Sequence, residues 1–255
     1  MTFAPSPGAA PLQKMVLAQA GMETRLLLRN GEQVLLALVI PVIVLVGGAA
    51  SGGVIDLGSG RRIDVLTPGV LALAILSTSF NSLAIATGFE RRYGVLKRLG
   101  ATPLPRSGLL AGKVLAVCAI EALQIIVIGT VALALSWQPD AGVVATGWSL
   151  LLVIGGTAAF ASWGLLIAGT LRAEATLAAS NLIYVLLVTG GAVVVPLSDY
   201  PAAVQPFVQA LPSGALAEGL RRVLNGSGFP AVELLVLAAW AAVGSVICSR
   251  VFRWE

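Results

Sequence analysis

The chain has 255 residues, of which 57% are hydrophobic and 11% are charged, and its formal net charge is +4. A soluble domain contains roughly 25% charged residues, so this composition, with a mean hydropathy of +0.93, indicates an integral membrane protein. There is no histidine, and Cys118 and Cys248 lie far apart inside apolar stretches, which excludes a disulfide framework, a zinc site and histidine-based catalysis.

Residues 12–30 alternate apolar and polar side chains near helical spacing. The apolar positions are Leu12, Met15, Val16, Met22 and Leu26, with Lys14, Gln19, Glu23 and Arg25 between them. This pattern predicts an interfacial helix that lies along the cytoplasmic surface of the membrane. A polar-faced extension of the first span is the alternative interpretation.

Six stretches are apolar and long enough to cross a membrane, which takes about 20 residues for roughly 30 Å of hydrocarbon. They are residues 33–50, 66–89, 109–137, 143–170, 175–196 and 231–250. Runs such as 34–46 are apolar on every face, which favours helices over transmembrane β-strands. We predict an all-α membrane protein with six transmembrane helices in one domain, residues 1–255.

Basic residues are concentrated on one side of these spans. That side holds 12 of the 16 Lys and Arg residues, including Arg253, and the other side holds only Arg61, Arg62, Arg221 and Arg222. The positive-inside rule therefore predicts a multi-pass protein of the cell membrane with both termini in the cytoplasm. The net positive charge marks this topology and does not indicate a nucleic-acid partner.

Residues 197–230 form the longest predicted external connection. Leu216, Leu220 and Val223 form an apolar stripe, and Glu218 and Arg222 are spaced as an i,i+4 ion pair on another face. The pattern predicts one or two short helices that dip into the outer leaflet or lie on it.

The densest polar cluster follows the second predicted span, at residues 90–106. Its basic residues alternate with leucines, which predicts a short amphipathic helix that ends near Gly100, before Pro103. Such a helix presents charge and apolar anchors to a protein partner. A topology anchor that binds anionic membrane lipid explains the basic residues equally well.

Two sets of residues carry a family resemblance. The first is Glu90-Arg91, Gly94, Leu96, Leu99, Thr102-Pro103, Leu109-Leu110 and Gly112-Lys113, and the second is Pro196, Tyr200-Pro201, Leu211-Pro212, Arg221-Arg222 and Leu224-Asn225-Gly226. In this order they resemble membrane subunits of the type-two ABC exporter family, which includes daunorubicin-type drug exporters and polysaccharide exporters. The resemblance covers the chain from Leu12 onwards, and Tyr200 departs from it because a residue such as leucine is expected before Pro201.

The resemblance implies an exporter permease that pairs with a second, identical permease and moves an amphipathic or lipid-like drug, lipid or glycan outward. It also implies two copies of an ABC ATP-binding subunit, bound through a coupling helix at residues 90–106. The implied coupling residues are Glu90, Arg91, Arg92, Gly94, Leu96, Lys97, Arg98, Leu99, Thr102 and Pro103. The implied external motif comprises Pro196, Pro201, Pro212 and Arg221.

Residues 108–114 superficially resemble a phosphate-binding loop. Three residues instead of four separate Gly108 from Gly112, and Val114 replaces the Ser or Thr that would hold magnesium. The chain is therefore predicted to be a transport subunit and not an enzyme. ATP and magnesium are expected on the partner ATPase, with no cofactor or metal on this chain.

Glu121 lies near the middle of the third predicted span, where an ionised carboxylate costs about 2.5–3.5 kcal/mol. We predict Gln124 and Asn81 as its hydrogen-bond partners. The three residues line the translocation path or a helix interface. In the other interpretation Glu121 is a protonated, hydrogen-bonded acid that locks two helices together.

Two other function classes compete with the exporter. A proton-coupled secondary transporter would use Glu121 as the carrier, but no internal repeat or broken helix pair supports it. An intramembrane enzyme would need a nucleophile with a base or a cluster of catalytic groups, and the sequence assembles neither.

Overall fold

The computed structural model describes residues 8, 10–51, 61–140 and 142–252. These residues form helices and connecting turns, and no strand occurs among them. Arg253, which contributes to the charge asymmetry in the sequence, lies outside the described residues.

The helices follow one another in chain order. They are α1 (Leu12–Arg29), α2 (Gly31–Ala50), α3 (Arg62–Leu76), α4 (Leu83–Arg92), α5 (Val95–Gly100), α6 (Arg106–Ala134), α7 (Val143–Thr170), α8 (Ala173–Gly190), α9 (Gln205–Ala210), α10 (Pro212–Leu224) and α11 (Ala231–Val251). A π-helical turn, Ser77–Ser82, joins α3 to α4 without a break, and a 3₁₀ turn, Leu197–Asp199, precedes α9.

Six helices of the described chain are long and apolar enough to cross a membrane, which confirms the predicted all-α membrane class. They are Gln33–Ala50, Arg62–Arg92, Arg106–Ala134, Val143–Thr170, Ala173–Gly190 and Ala231–Val251.

Two predicted span ends were wrong. The third span ends at Ala134 and not at residue 137, because Ser136 has a φ of 66° and turns the chain back on itself. The fifth ends at Gly190 and not at residue 196, because Ala192 has a φ of 54°. Positive φ values are incompatible with a right-handed helix, so each helix stops just before such a residue.

The π-helical turn lies in the middle of the second span, against α7. Ser79 Oγ, in this turn, donates a 2.5 Å hydrogen bond to the carbonyl oxygen of Ile75, at the end of α3. Gly164 of α7 faces it, and a Cβ at Gly164 would lie 2.8 Å from the carbonyl oxygen of Phe80. A glycine is therefore required for α7 to approach this turn so closely.

Two apolar clusters hold the helices together. The larger cluster joins α3, α7, α10 and α11 through fully buried side chains such as Ile75, Phe160, Leu216 and Leu237. The smaller cluster lies at the end of the bundle that carries α1 and α5, which we call the α5 end. Of the two clusters, only the smaller one includes a residue of α5, which is Leu96.

Helix α1 is present as predicted, but the face it packs against α6 is polar. Its buried residues are Gln19, Ala20 and Glu23, whereas Leu17 and Leu26 are 65% and 57% exposed. Several of its apolar side chains are thus exposed outside the contact with α6, as they would be in a helix at a membrane surface. The interfacial location itself stays a prediction.

Candidate functional site

The predicted amphipathic helix at residues 90–106 is shorter in the structure. Glu90, Arg91 and Arg92 form the last turn of α4, and α5 covers only Val95–Gly100. Gly94 separates the two helices with a φ of +71°, a left-handed conformation that glycine adopts at little cost. The segment is therefore a helix end, a glycine turn and a second short helix.

Helix α5 has one face in the bundle and one outside it. Leu96 is fully buried, and Leu99 and Leu104 pack against the smaller apolar cluster. Lys97 and Arg98 are exposed, as are Thr102 and Pro103 in the turn that follows. The arrangement presents a basic surface from a helix whose leucines fix its position.

Arg91 and Arg92 bind the connection between α7 and α8. Arg91 donates a hydrogen bond to the carbonyl oxygen of Leu171, which follows the last residue of α7. Arg92 forms an ion pair with Glu174, in the first turn of α8. The turn before α5 is thereby linked to the fourth and fifth spans.

Glu90 points into the bundle, unlike its basic neighbours. Its Oε2 lies 2.5 Å from Lys113 Nζ on α6, and the same ammonium donates to Glu23 Oε1 on α1 at 2.8 Å. The Lys113 side chain is only 3% exposed. Gln19 Nε2 also donates to Glu23 Oε1, at 2.9 Å. This charged cluster joins α1, α4 and α6 at the α5 end.

The sequence does not predict this cluster, because residues 90–106 are expected to contact a partner and Lys113 counts among the basic residues on one side of the membrane. The sequence does contain an indication of the cluster, because Lys113 lies inside an apolar stretch. A lysine there is costly unless a carboxylate neutralises it.

A cavity of about 210 Å³ lies beside the charged cluster, between α1, α2, α4 and α6. Its polar lining includes Glu23, Asn30, Gln33, Glu90 and Lys113. Its apolar lining includes Leu27, Ala37, Leu83, Val117 and Ile120. We call it the inner cavity.

Glu121, Gln124 and Asn81 do not form the predicted group. Glu121 is 1% exposed and accepts a 2.6 Å hydrogen bond from the Thr157 hydroxyl of α7. Gln124 accepts from Thr78 at 3.1 Å and donates to the carbonyl oxygen of Ala37 at 3.0 Å. The expected partners of Glu121 were therefore wrong, because Gln124 faces α2 and the π-helical turn.

Asn81 instead bonds to the fifth span. Its Nδ2 donates to Asn181 Oδ1 of α8 at 3.0 Å, and Asn181 is exposed on the bundle surface. Polar side chains on the surface of a membrane-spanning bundle favour contact with protein or water over contact with lipid tails.

The external motif is built around Arg221. The buried guanidinium donates to the carbonyl oxygens of Val65, Ala192 and Val193 at 3.2, 2.6 and 2.8 Å. It also pairs with Glu218 at 2.6 Å. Burial lowers the pKa of Arg221, and the Glu218 carboxylate opposes this effect. Arg221 thus fixes α10 to α3 and to the turn after α8.

The predicted Glu218–Arg222 ion pair was wrong. Glu218 pairs with Arg221, three residues on, and Arg222 pairs with Glu233 of α11 at 3.0 Å. Arg221 lies on the buried face of α10, so it reaches the carbonyl groups and Glu218 together. Pro212 is the first residue of α10, while Pro196 and Pro201 flank the short 3₁₀ turn.

Residues 108–114 lie within α6 and are helical. A phosphate-binding loop needs successive backbone N–H groups that point at the anion, whereas these belong to the hydrogen-bonded turns of a spanning helix. The geometry agrees with the departures from the loop pattern in the sequence.

Comparison with known proteins agrees with this architecture. The family model described as ABC-2 type transporter matches residues 12–225, from α1 to the end of α10. The chain is also 26% identical over 247 residues to "Putative transport permease YvfS" of Bacillus subtilis (strain 168), covering 95% of this chain and 97% of that protein. Because the family match extends over most of the chain, the protein belongs to the ABC-2 type transporter family.

Proposed function

We propose that the chain is the permease subunit of an ATP-driven ABC exporter in the cell membrane. Its family and the name of its Bacillus subtilis relative support a transport permease. Both termini and the α5 end face the cytoplasm in this proposal, in agreement with the distribution of basic residues. The substrate is an amphipathic or lipid-like molecule, such as a drug, a lipid or a glycan carrier.

One observation carries the proposal of a separate ATPase. Helix α5 presents Lys97 and Arg98 outward while Leu96 is buried beneath them. A buried anchor under an exposed basic surface suits a helix that another protein moves. Two ATP-binding subunits, with ATP and magnesium bound there, would contact the α5 helices of two identical permeases.

A movement of α5 would be transmitted to the membrane-spanning helices through three connections. Gly94 joins α5 to α4, so that a shift of α5 pulls on the second span. Arg91 and Arg92 join the same turn to the α7–α8 connection. Glu90 joins it through Lys113 to α1 and α6. The coupling role of the residues around Gly94 therefore has a physical path into the bundle.

The translocation path in this proposal runs between the two permeases. The Asn81–Asn181 pair supports it, because it places an exposed amide, Asn181, on the surface of the fifth span. Glu121 is assigned a structural role, since its carboxylate bonds to Thr157 inside a single chain. A proton-coupled transporter would need that carboxylate to exchange protons with water during transport.

The test is purification from native membranes in mild detergent, with quantitative mass spectrometry of the proteins recovered. We expect an ABC ATPase subunit in a one-to-one ratio with the permease. The variant Lys97→Glu/Arg98→Glu should lose this partner. The matched control is Lys14→Glu/Arg25→Glu, which makes the same charge change on exposed positions of α1 and should retain it.

Recovery of the permease alone, under conditions that hold a known ABC complex together, would refute the proposal. So would equal retention of the ATPase by the α5 variant and by the α1 control. In either case α5 would be a lipid anchor.

A further inference from the structure

The charged cluster at the inner cavity contains one carboxylate more than it has cations. Lys113 is the single cation between Glu23 and Glu90, at 2.8 and 2.5 Å. The Lys113 and Glu23 side chains are 3% and 11% exposed, and Glu90 is 25% exposed. Glu90 Oε2 is buried in the ion pair with Lys113, and the partly exposed Glu90 side chain lines the inner cavity. The cluster therefore retains capacity to accept hydrogen bonds from a second cationic donor.

The lining of the inner cavity changes from polar to apolar along its length. On α6 it runs from Lys113 to Ile120, and on α4 from Glu90 to Leu83. Each of these intervals is seven residues, which at 1.5 Å per residue gives a depth of about 10 Å. The charged groups lie at the α5 end, and the lining towards the middle of the bundle is mostly apolar, with Thr78 and Ser82 as its uncharged polar residues. A ligand that matches this gradient has a charged head and an apolar tail.

The volume of the inner cavity limits the ligand further. At about 210 Å³ it is smaller than the roughly 300–1,000 Å³ of pockets for drug-sized molecules. It suits a compact head with a narrow chain better than a fused ring system. The surplus carboxylate disfavours phosphate and carboxylate heads, since Lys113, the one basic residue of the described lining, is already neutralised. No group of three or more Asp, Glu, Cys or His side chains that could hold a metal ion occurs in the described part of the chain.

We propose that the inner cavity binds the ammonium head of a single-chain alkylamine, with Glu23 and Glu90 accepting its hydrogen bonds and the chain lying along α4 and α6. This inference rests on the proposed function, because it names the class of amphipathic substrate that the permease receives. The cavity would take the amine from the same leaflet as the α5 end. Amphiphiles with neutral or anionic heads would bind there poorly.

The test is photolabelling of the full-length protein in its native membranes. The probes are a dodecylamine with a diazirine on its chain, and the dodecanol and dodecyl phosphate that carry the same diazirine. Mass spectrometry then locates the labelled residues. We expect the amine to label α4 and α6 around Leu83 and Val117 about tenfold more than the alcohol, as for a charge-assisted hydrogen bond. Excess dodecylamine should suppress this labelling, and excess dodecanol should not.

The variant Glu90→Gln removes the surplus charge and keeps the shape of the side chain. We expect it to lower amine labelling of the inner cavity about tenfold, to the level of the alcohol. The matched control is Glu174→Gln, which removes an exposed carboxylate at the same end of the bundle, 65% exposed in its side chain. Labelling of the inner cavity should not change in the control, although both variants alter the net charge equally.

Equal labelling by amine and alcohol would overturn the proposal, and so would stronger labelling by the phosphate. Labelling of Glu90→Gln at the wild-type level would overturn it as well. If Glu90→Gln fails to fold, the competition experiment on the wild-type protein tests the proposal by itself. Equal suppression of amine labelling by dodecanol and by dodecylamine would then overturn the proposal. None of these measurements depends on the ATPase, so failure here leaves the ATPase purification to judge the proposed function separately.

Discussion

Lys113 and Glu23 form a buried ion pair at 2.8 Å although they are 90 residues apart in the chain. The pair fixes α1 to α6, and Glu90 adds the end of α4 to the same contact. A contact that joins three helices through one ammonium group makes Lys113 a critical residue at the α5 end.

Substitution Lys113→Met should destabilise the protein by about 3–5 kcal/mol, because it leaves the buried Glu23 carboxylate and the partly buried Glu90 carboxylate without a cation. The measurement is the free energy of unfolding in mixed detergent micelles. Arg92→Met is the control, since it breaks the more exposed pair with Glu174 and should cost about 1 kcal/mol or less. Equal losses in the two variants would contradict a buried role for Lys113.

Substitution Arg221→Lys should destabilise the packing of α10 against α3 by about 2 kcal/mol or more. Lysine cannot reach all the acceptors that the guanidinium fork reaches, and each buried carbonyl left unpaired costs about 1–3 kcal/mol. Thermal unfolding and protease cleavage near α10 would measure the loss. Arg61→Lys alters a more exposed pair with Asp64 and should change stability little, so a larger effect at Arg61 would refute the prediction.

Substitution Gly164→Ala should destabilise the bundle, because the added Cβ would lie 2.8 Å from the carbonyl oxygen of Phe80. We expect a loss of about 1–3 kcal/mol from overpacking, measured as unfolding free energy in micelles. Gly129→Ala provides the comparison, as a Cβ there meets nothing within 4 Å. It should be neutral or slightly stabilising through helix propensity. A neutral Gly164→Ala would show that α7 and the π-helical turn separate easily.

Substitution Gly94→Ala should weaken recovery of the ATPase without preventing insertion of the spans. Gly94 has a φ of +71°, and no atom lies within 4 Å of the position that a Cβ would take. An alanine would therefore meet no clash, and only its backbone conformation would be unfavourable. The left-handed conformation costs alanine about 1–2 kcal/mol, which favours a different path from α4 into α5. The measurement is the ratio of ATPase to permease after purification. The control is Gly147→Ala, which also adds a Cβ in open space but lies within a helix, and it should leave the ratio unchanged. An equal reduction of the ratio by Gly147→Ala would contradict a specific role for the Gly94 conformation.

Substitution Glu121→Gln should preserve both folding and the ATPase activity of the purified complex. An amide oxygen accepts the Thr157 hydrogen bond as the carboxylate oxygen does, so the stability should change by about 1 kcal/mol or less. Loss of all transport, with the fold and the ATPase complex intact, would favour the proton-carrier mechanism instead.

The number of spans was predictable from the sequence because hydropathy adds up over some 20 residues and tolerates errors at single positions. The ends of the spans were less predictable. They depend on the backbone conformation of single residues, and neither Ser136 nor Ala192 is a residue type that indicates a positive φ.

The pairing of charged residues was the least predictable part. Glu218 can reach either Arg221 or Arg222 along a helix, and only the burial of one face against other elements decides between them. Glu90 and Lys113 were both noticed in the sequence, but their contact joins two spans whose relative rotation no local pattern specifies. The same rotation decides that Gln124 faces α2 while Glu121 faces α7.

The π-helical turn Ser77–Ser82 determines this rotation for the second half of the second span. A π-helical turn contains one residue more than an α-helical turn. Compared with an uninterrupted α-helix, every side chain after it is therefore displaced by about 100° around the helix axis. If the same six residues formed a regular α-helical turn, the span would remain an apolar helix of nearly the same length, with the same hydropathy. That change would also carry Glu90 a quarter of a circle or more away from Lys113, and Arg91 and Arg92 away from the α7–α8 connection. The contacts of the α5 end thus depend on one extra residue near the middle of the second span, two to three helical turns before Glu90.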